Sequence, residues 1–219
     1  MSIIGVYLAA GSSRRMGCRK QALELAPGVH LAGSGLAALR DSGVNGLIVV
    51  VHPEDPLVWL DAGFLAGQAD GPGLVVAVCL EADQGMALSL QCGIRAASNE
   101  GADAVLIALA DQPFVTSAWL TQLIGVWRSS PRLDYVISEA GGETMPPAVL
   151  SATMFEVASG LKGDQGAKRL LDSSRFHGVR LASADPWLAL DIDTPEEWRE
   201  AKRMWTLWPD RAILGCKRY

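Results

Sequence analysis

The chain is poor in the residues that build most metal centres and disulfide frameworks. It holds three histidines, His30, His52 and His177, and four cysteines, Cys18, Cys79, Cys92 and Cys216. None of them falls at metal-ligand spacing and no C-x-x-C occurs, which argues against a zinc site or a stapled scaffold. The histidines read as surface or loop residues, and the scattered cysteines suit a reducing cytoplasm. No run of about 18 apolar residues is present to span a bilayer. Met1-Ser2 leads straight into a short apolar segment without a basic n-region, so no signal peptide and a cytoplasmic location are expected. A basic excess is missing as well. Nineteen Lys and Arg against 24 Asp and Glu leave a formal net charge of −5, which disfavours nucleic acid and membrane surfaces as partners. Repeats, low-complexity stretches and long linkers are also missing. The expectation is therefore one domain over residues 1–205 with a tail over 206–219.

What is present is a well-stocked core, with 49% hydrophobic residues, and a regular alternation of apolar runs with helical patterns. The runs 3–8, 46–51, 74–79, 104–109 and 135–138 read as strands. Runs this continuous suit a parallel sheet covered on both faces. Helices are expected over 31–39, 53–65, 86–97, 117–127, 154–161 and 167–171, and from Thr194-Pro195 onward. Residues 141–147 read as a turn-rich loop, and 179–181 and 188–192 as short strands. The predicted class is α/β with a doubly wound, mostly parallel sheet. Trp198, Trp205 and Trp208 fall at helical spacing and read as core or dimer contacts.

The first strand runs into Leu8-Ala9-Ala10-Gly11-Ser12-Ser13-Arg14-Arg15-Met16-Gly17-Cys18-Arg19-Lys20. Small residues expose the backbone, and four cations crowd the end of the loop in an otherwise acidic chain. That combination calls for an anion, and a polyphosphate is the natural candidate. Counting excludes two common phosphate loops. Gly11 and Gly17 enclose five residues rather than four, and Cys18 follows instead of Lys. The third and sixth positions of a dinucleotide fingerprint are Ser13 and Met16 rather than glycine.

Two acidic segments accompany the loop. Asp111-Gln112-Pro113 follows the fourth strand, where open α/β sheets bind ligands, and Asp111 there is a suitable hard ligand for Mg²⁺. In Asp191-Ile192-Asp193-Thr194-Pro195-Glu196-Glu197, Thr194, Pro195 and Glu197 make a capping box. That leaves both aspartates unused, and an extended 189–193 would put them on one face. Gly85 and Ser89, at the start of the 86–97 helix, could meet a phosphate or ribose.

The pattern Leu-Ala-Ala-Gly-x-Ser-x-Arg-Met-Gly-x-x-Lys resembles the signature of the MobA-like nucleotidyltransferases. Within them it looks most like the molybdenum cofactor cytidylyltransferase branch, which includes members associated with purine catabolism. Leu-x-Asp-Gln-Pro, Gly-Met-x-x-Ser-Leu-x-x-Gly, Gly-Asp-x-Gly-Ala and Asp-Ile-Asp-Thr-Pro resemble further segments of the family, in the expected order. The resemblance implies a Rossmann-like fold of the nucleotide-diphospho-sugar transferase type. It implies nucleotide binding by Leu8, Ala9, Ala10, Gly11, Ser12, Ser13, Gly85 and Ser89. It implies Mg²⁺ held by Asp111 and Asp193, with Arg15, Lys20 and Asp111 as the catalytic groups. Acceptor contacts fall to Pro147, Gly163, Asp164 and Gly166, although Met145-Pro146 departs from the family pattern before Pro147. For Asp191 two readings stand side by side, a solvated or supporting carboxylate and a member of the site. The implied reaction moves CMP from CTP to the phosphate of molybdopterin and releases pyrophosphate, with transient contact to a molybdenum hydroxylase. The alternatives are transfer to a sugar or alcohol phosphate, and a non-catalytic maturation factor for such a hydroxylase.

Overall fold

A computed structural model describes residues 1–208 except 12, 14, 62–70, 131 and 164–174. Among the described residues, seven strands form one sheet in the order β5-β4-β1-β6-β8-β7-β9. These are β1 (Ile3–Leu8), β4 (Gly46–Val51), β5 (Gly73–Val78), β6 (Ala104–Leu109), β7 (Tyr135–Ala140), β8 (Glu143–Ser151) and β9 (Gly178–Ala182). All neighbours are parallel except the two pairs that β8 makes with β6 and β7. A small separate hairpin joins β2 (Glu24–Ala26) to β3 (Val29–His30). The helices are α1 (Leu31–Arg40), α2 (Met86–Asn99), α3 (Ser117–Ser129), α4 (Phe155–Ala158) and α5 (Pro195–Leu207).

The alternation along β1 explains the layering. Ile3 and Tyr7 face the cluster that takes in Leu36, Leu39, Leu120 and Leu123 of α1 and α3. Ile4 and Val6 face the opposite cluster, with Leu90 and Ile94 of α2. The helix can approach β1 closely because Gly93 has no side chain, and a Cβ there would stand 2.4 Å from Val6 Cγ1. A third cluster gathers Phe114, Trp205 and Trp208 under α5. The tryptophans there pack the core, as their spacing indicates.

After β1 the chain builds outward through β4 and β5, then returns to place β6 on the other side of β1. The switch in direction lies between β1 and β6. In such sheets ligands bind beyond the carboxyl ends of the strands at that point.

Four expectations need correction. Residues 53–61 form turns rather than a helix, and 62–70 lie outside the described residues. Asp55 explains this. Its carboxylate accepts from the Leu57 amide and the Trp59 indole, while Leu57 takes φ +56°. Pro53 and Pro56 discourage helix on either side. Of the loop expected over 141–147, residues 143–147 belong to strand β8, because Gly141 and Gly142, at φ +60° and +84°, supply the positive φ that a two-residue hairpin turn requires. The two prolines sit where the β7–β8 register shifts. Residues 186–189 form a 3-10 turn whose first amides are capped by Asp185, so 188–192 is no strand. The helix expected over 154–161 shrinks to α4 preceded by a 3-10 turn, stopping ahead of Gly160. The helix expected over 167–171 lies outside the described residues.

Candidate active site

The strand ends dictate the site. Leu8 closes β1, and its carbonyl accepts from the Ala110 amide just past β6. This sets the Ala9–Lys20 loop beside Asp111. The Ala9 amide donates to Val50 O at the end of β4, so the loop is anchored on both flanks. Within it Ser13 takes φ +50°, its carbonyl accepts from the Met16 amide at 2.9 Å, and its Oγ accepts from the Lys20 amide at 3.2 Å. Ser12 and Arg14 lie outside the described residues.

The loop delivers Lys20 into a three-oxygen cradle. Its ammonium donates to Asp111 Oδ2 at 2.8 Å, Asp193 Oδ1 at 2.6 Å and the Ile192 carbonyl at 2.9 Å. Burial alone would lower the Lys20 pKa, but the Asp111 charge and the hydrogen bonds to Asp111 and Asp193 outweigh it, and the pKa is raised. In return the Lys20 hydrogen bond holds the Asp193 carboxyl below its ordinary value. Arg15, mostly exposed, adds a contact of 3.2 Å from Nη1 to Asp193 Oδ2.

Asp193 is fixed from behind by the start of α5. Thr194 Oγ1 accepts from the Glu197 amide, and Glu197 Oε2 accepts from the amides of Asp193 and Thr194 at 2.8 Å each, completing the capping box. The Ile192 amide donates to Asp111 O at 3.0 Å, so the two acidic segments are bonded directly. Asp191 stands outside the Lys20 cradle, and its Oδ1 accepts from Gln112 Nε2 at 2.9 Å. Burial of its carboxyl, helped by the nearby Asp111 charge, pushes its pKa up to about 6.

These elements line a cleft of about 390 Å³. Of the residues singled out from the sequence, Leu8, Ala10, Gly11, Ser13, Arg15, Lys20, Gly85, Ser89, Asp111 and Asp193 line it. Ala9 is buried beneath the loop. Gly163 meets the site indirectly. Its carbonyl accepts from the Ala87 amide at 3.0 Å, and a Cβ on Gly85, which has φ +124°, would stand 2.4 Å from Gly163 C. Pro147 is buried in β8 with its carbonyl accepting from Ser138 Oγ, and it is not among the residues that line the cleft. Asp164 and Gly166 lie outside the described residues.

Two buried side chains went unread in the sequence. Gln21 donates from Nε2 to the carbonyls of Ala9 (2.8 Å) and Gly11 (3.1 Å), pinning the loop from inside. His52, expected as a surface or loop residue, does follow β4 in a loop but is buried and bonded to Arg19 and Asp83.

The donor set suits a hard cation. Two carboxylates and a carbonyl already grip an ammonium, and Asp111 Oδ1 is buried without a hydrogen-bond partner. Among the described residues no three of His, Cys, Asp and Glu converge into a self-sufficient cage. A carboxylate pair of this kind matches Mg²⁺, which takes one or two carboxylates and completes its shell with substrate phosphates and water.

Comparison with known proteins gives the family. The MobA-like NTP transferase domain matches residues 5–181. The chain belongs to that family. The MobA-like chain is 37% identical over 203 residues to the purine catabolism protein PucB of Bacillus subtilis, covering 92% of this chain and 96% of PucB. It is 24% identical over 208 residues to a probable molybdenum cofactor guanylyltransferase of Opitutus terrae, again covering 92% and 96%. Among solved structures it is similar to Rv0371c of Mycobacterium tuberculosis, with 30% identity, a TM-score of 0.73 and coverage of 93% of this chain and 99% of that one. Rv0371c has also been solved as a complex with manganese. The fold is the mostly parallel Rossmann-like sheet of nucleotidyltransferases, and no described helix is long and apolar enough to cross a membrane.

Proposed function

We propose that this NTP transferase moves CMP from CTP to the phosphate of molybdopterin and releases pyrophosphate. The observation that carries the reading is the Lys20 ammonium, held by Asp111 and Asp193 at the mouth of the small-residue loop. Cationic and anionic groups converge there in the geometry that a polyphosphate shared with a metal ion needs. Ala10, Gly11 and Ser13 offer backbone to the triphosphate. Arg15 and Lys20 offset charge on the departing pyrophosphate. Asp111 and Asp193 would hold Mg²⁺, which would supply charge neutralisation and Lewis acidity to the phosphates.

In the reaction an oxygen of the acceptor phosphate forms a bond to the α-phosphorus, and the bond from that phosphorus to the bridging oxygen of pyrophosphate breaks. The acceptor phosphate is already ionised near neutral pH. The chain therefore needs to position and stabilise rather than remove a proton.

The choice of CTP follows Ala10, where guanylyl enzymes of the resemblance tend to carry glycine. The choice of acceptor follows the Gly163 segment and the relatives named for molybdenum cofactor and purine catabolism. Transient delivery to a molybdenum hydroxylase belongs to the same reading and follows the family resemblance.

The test is pyrophosphate release with Mg²⁺ and molybdopterin, comparing CTP, GTP, ATP and UTP. Release with CTP alone is expected. Release with GTP alone keeps the chemistry and overturns the base, and no release from any of the four overturns the transfer. The similarity to PucB, a protein named for a pathway rather than a reaction, favours one second reading, a maturation factor that binds nucleotide without transferring it. Asp111→Ala separates the two. Transfer should fall at least about a thousandfold if Asp111 serves the transition state, whereas a pure binder would still support maturation of its client.

A further inference from the structure

His52 is a buried imidazole that the transfer chemistry does not use. It follows β4, and its side chain is 8% exposed. Nδ1 lies 2.8 Å from Arg19 Nη2 and 3.1 Å from the Glu54 amide nitrogen. A guanidinium and a backbone N–H can only donate, so Nδ1 is the acceptor and the ring proton sits on Nε2. Nε2 in turn donates to Asp83 Oδ2 at 3.2 Å. Arg19 also donates to Glu54 Oε2 at 3.0 Å.

The two partners belong to two different segments at the cleft, Asp83 lining it and Arg19 standing next to Lys20, which lines it too. Arg19 is the residue before Lys20, at the end of the phosphate loop. Asp83 lines the cleft in the 3-10 turn that precedes Gly85 and α2. The partners lie 33 and 31 residues from His52 in sequence. The ring therefore ties together two segments that follow two different strands. Packing does not require this. An apolar residue would fill the space but could not accept from one segment and donate to the other.

We propose that His52 is a positioning residue for the nucleotide. It latches the Arg19 end of the phosphate loop to the Asp83 turn, fixes the width of the cleft, and thereby sets affinity for the nucleoside triphosphate without entering the chemical step. The proposal rests on the reading of the cleft as a nucleotidyl-transfer site. Glutamine, with a carbonyl and an amide at one tip, can reproduce both bonds, and leucine can reproduce neither.

The test compares wild type, His52→Leu and His52→Gln in steady-state pyrophosphate release, and in hydrogen exchange of the protein without nucleotide. In His52→Leu the KM for CTP should rise about tenfold or more while kcat stays within about threefold, the signature of lost binding common to ground and transition states. Peptides covering 13–20 and 81–88 should exchange faster together, and His52→Gln should restore both readouts. Arg19→Met, changed at a residue that reaches solvent, repeats the experiment from the loop side should His52→Leu not fold. An unchanged KM overturns the latch, as does a fall in kcat matching the fall in kcat/KM. A folded His52→Gln that behaves like His52→Leu overturns it too. If wild type takes none of the four nucleotides the transfer reading fails on its own. Exchange that is unchanged in both peptides then still refutes the latch, and coupled exchange in both supports it.

Discussion

Lys20 carries more than a phosphate contact. With three oxygens around its ammonium it keeps two carboxylates close together before any other cation arrives. Lys20→Met leaves Asp111 and Asp193 facing each other without that charge. Affinity for Mn²⁺ in the absence of nucleotide should then rise about tenfold or more, measured by loss of the free-ion EPR signal. Equal affinity in the two proteins would show that the ammonium does not compete for the carboxylates.

Asp191 gives a pH signature of its own. With a native pKa of about 6 against an ordinary value of 3.8, the folded protein holds this proton more tightly than the unfolded chain. Its contribution to stability is therefore greatest below about pH 4 and is lost as pH rises through about 6. Asp193, lowered by Lys20, works in the opposite sense, and its contribution is lost as pH falls. Carboxyl ¹³C NMR of the metal-free protein should find one aspartate titrating near pH 6 and lose that step in Asp191→Asn. An Asp191 carboxyl that titrates near pH 4 contradicts the assignment.

Asp111 was legible because it follows an unbroken apolar strand, whereas the capping box left both Asp191 and Asp193 unused and only the family resemblance singled out Asp193. Gln21 and His52 were not. Their partners are carbonyls, an arginine and an aspartate brought in by the fold, and no local pattern marks a side chain whose bonds reach into other segments.

At the scale of elements, the site depends on how α5 and α2 begin. Thr194→Ala removes the side chain that accepts from the Glu197 amide and should cost about 1 kcal/mol in urea unfolding. Because Glu197 also holds the Asp193 amide, transfer should weaken further in Glu197→Ala, with little change in secondary structure by circular dichroism. Gly85→Ala is the severe case. It combines a disfavoured φ of +124° with a Cβ at 2.4 Å from the Gly163 backbone, so either the helix start or the 163 turn must move. Loss of nucleotide binding with an intact sheet is the expected outcome.

The elements most readily read from the sequence were those with a continuous apolar run or a standard cap. The hairpin of β7 and β8 was missed because two prolines suggested a loop, when they occupy the point where pairing shifts register. The 53–61 turns were missed because the apolar spacing looked helical, while Asp55 diverts the local amides to its own carboxylate. The 186–189 turn has a similar cause in Asp185. In these last two cases a short polar side chain outcompetes the pattern read from the sequence.

Across the whole molecule, the order β4-β1-β6 brings the phosphate loop and Asp111 to one switch point, and the aromatic cluster under α5 brings Asp193 to meet them. Phe114 follows Asp111 by three residues, and its ring lies 6.0 Å from that of Trp205 and 5.4 Å from that of Trp208. Trp205→Ala should therefore cost about 3–5 kcal/mol by denaturant unfolding. It should also weaken transfer in the fraction that remains folded, since α5 would no longer be seated against the segment after β6 that carries Asp111 and Phe114. A stability loss with unchanged kcat would separate the cluster from the site.

The cradle around Lys20 also fixes an order of events during synthesis. Lys20 and Asp193 are 173 residues apart, so the nascent chain can pair β1, β4, β5 and β6 long before Asp193, Thr194 and the tryptophans of α5 have been made. Until then the lysine has one carboxylate instead of two, and the aromatic cluster is incomplete. Activity should thus switch on late and abruptly. Chains stalled ahead of residue 190 should carry paired β1, β4, β5 and β6 and no transferase, which a series of arrested nascent chains assayed for pyrophosphate release would display.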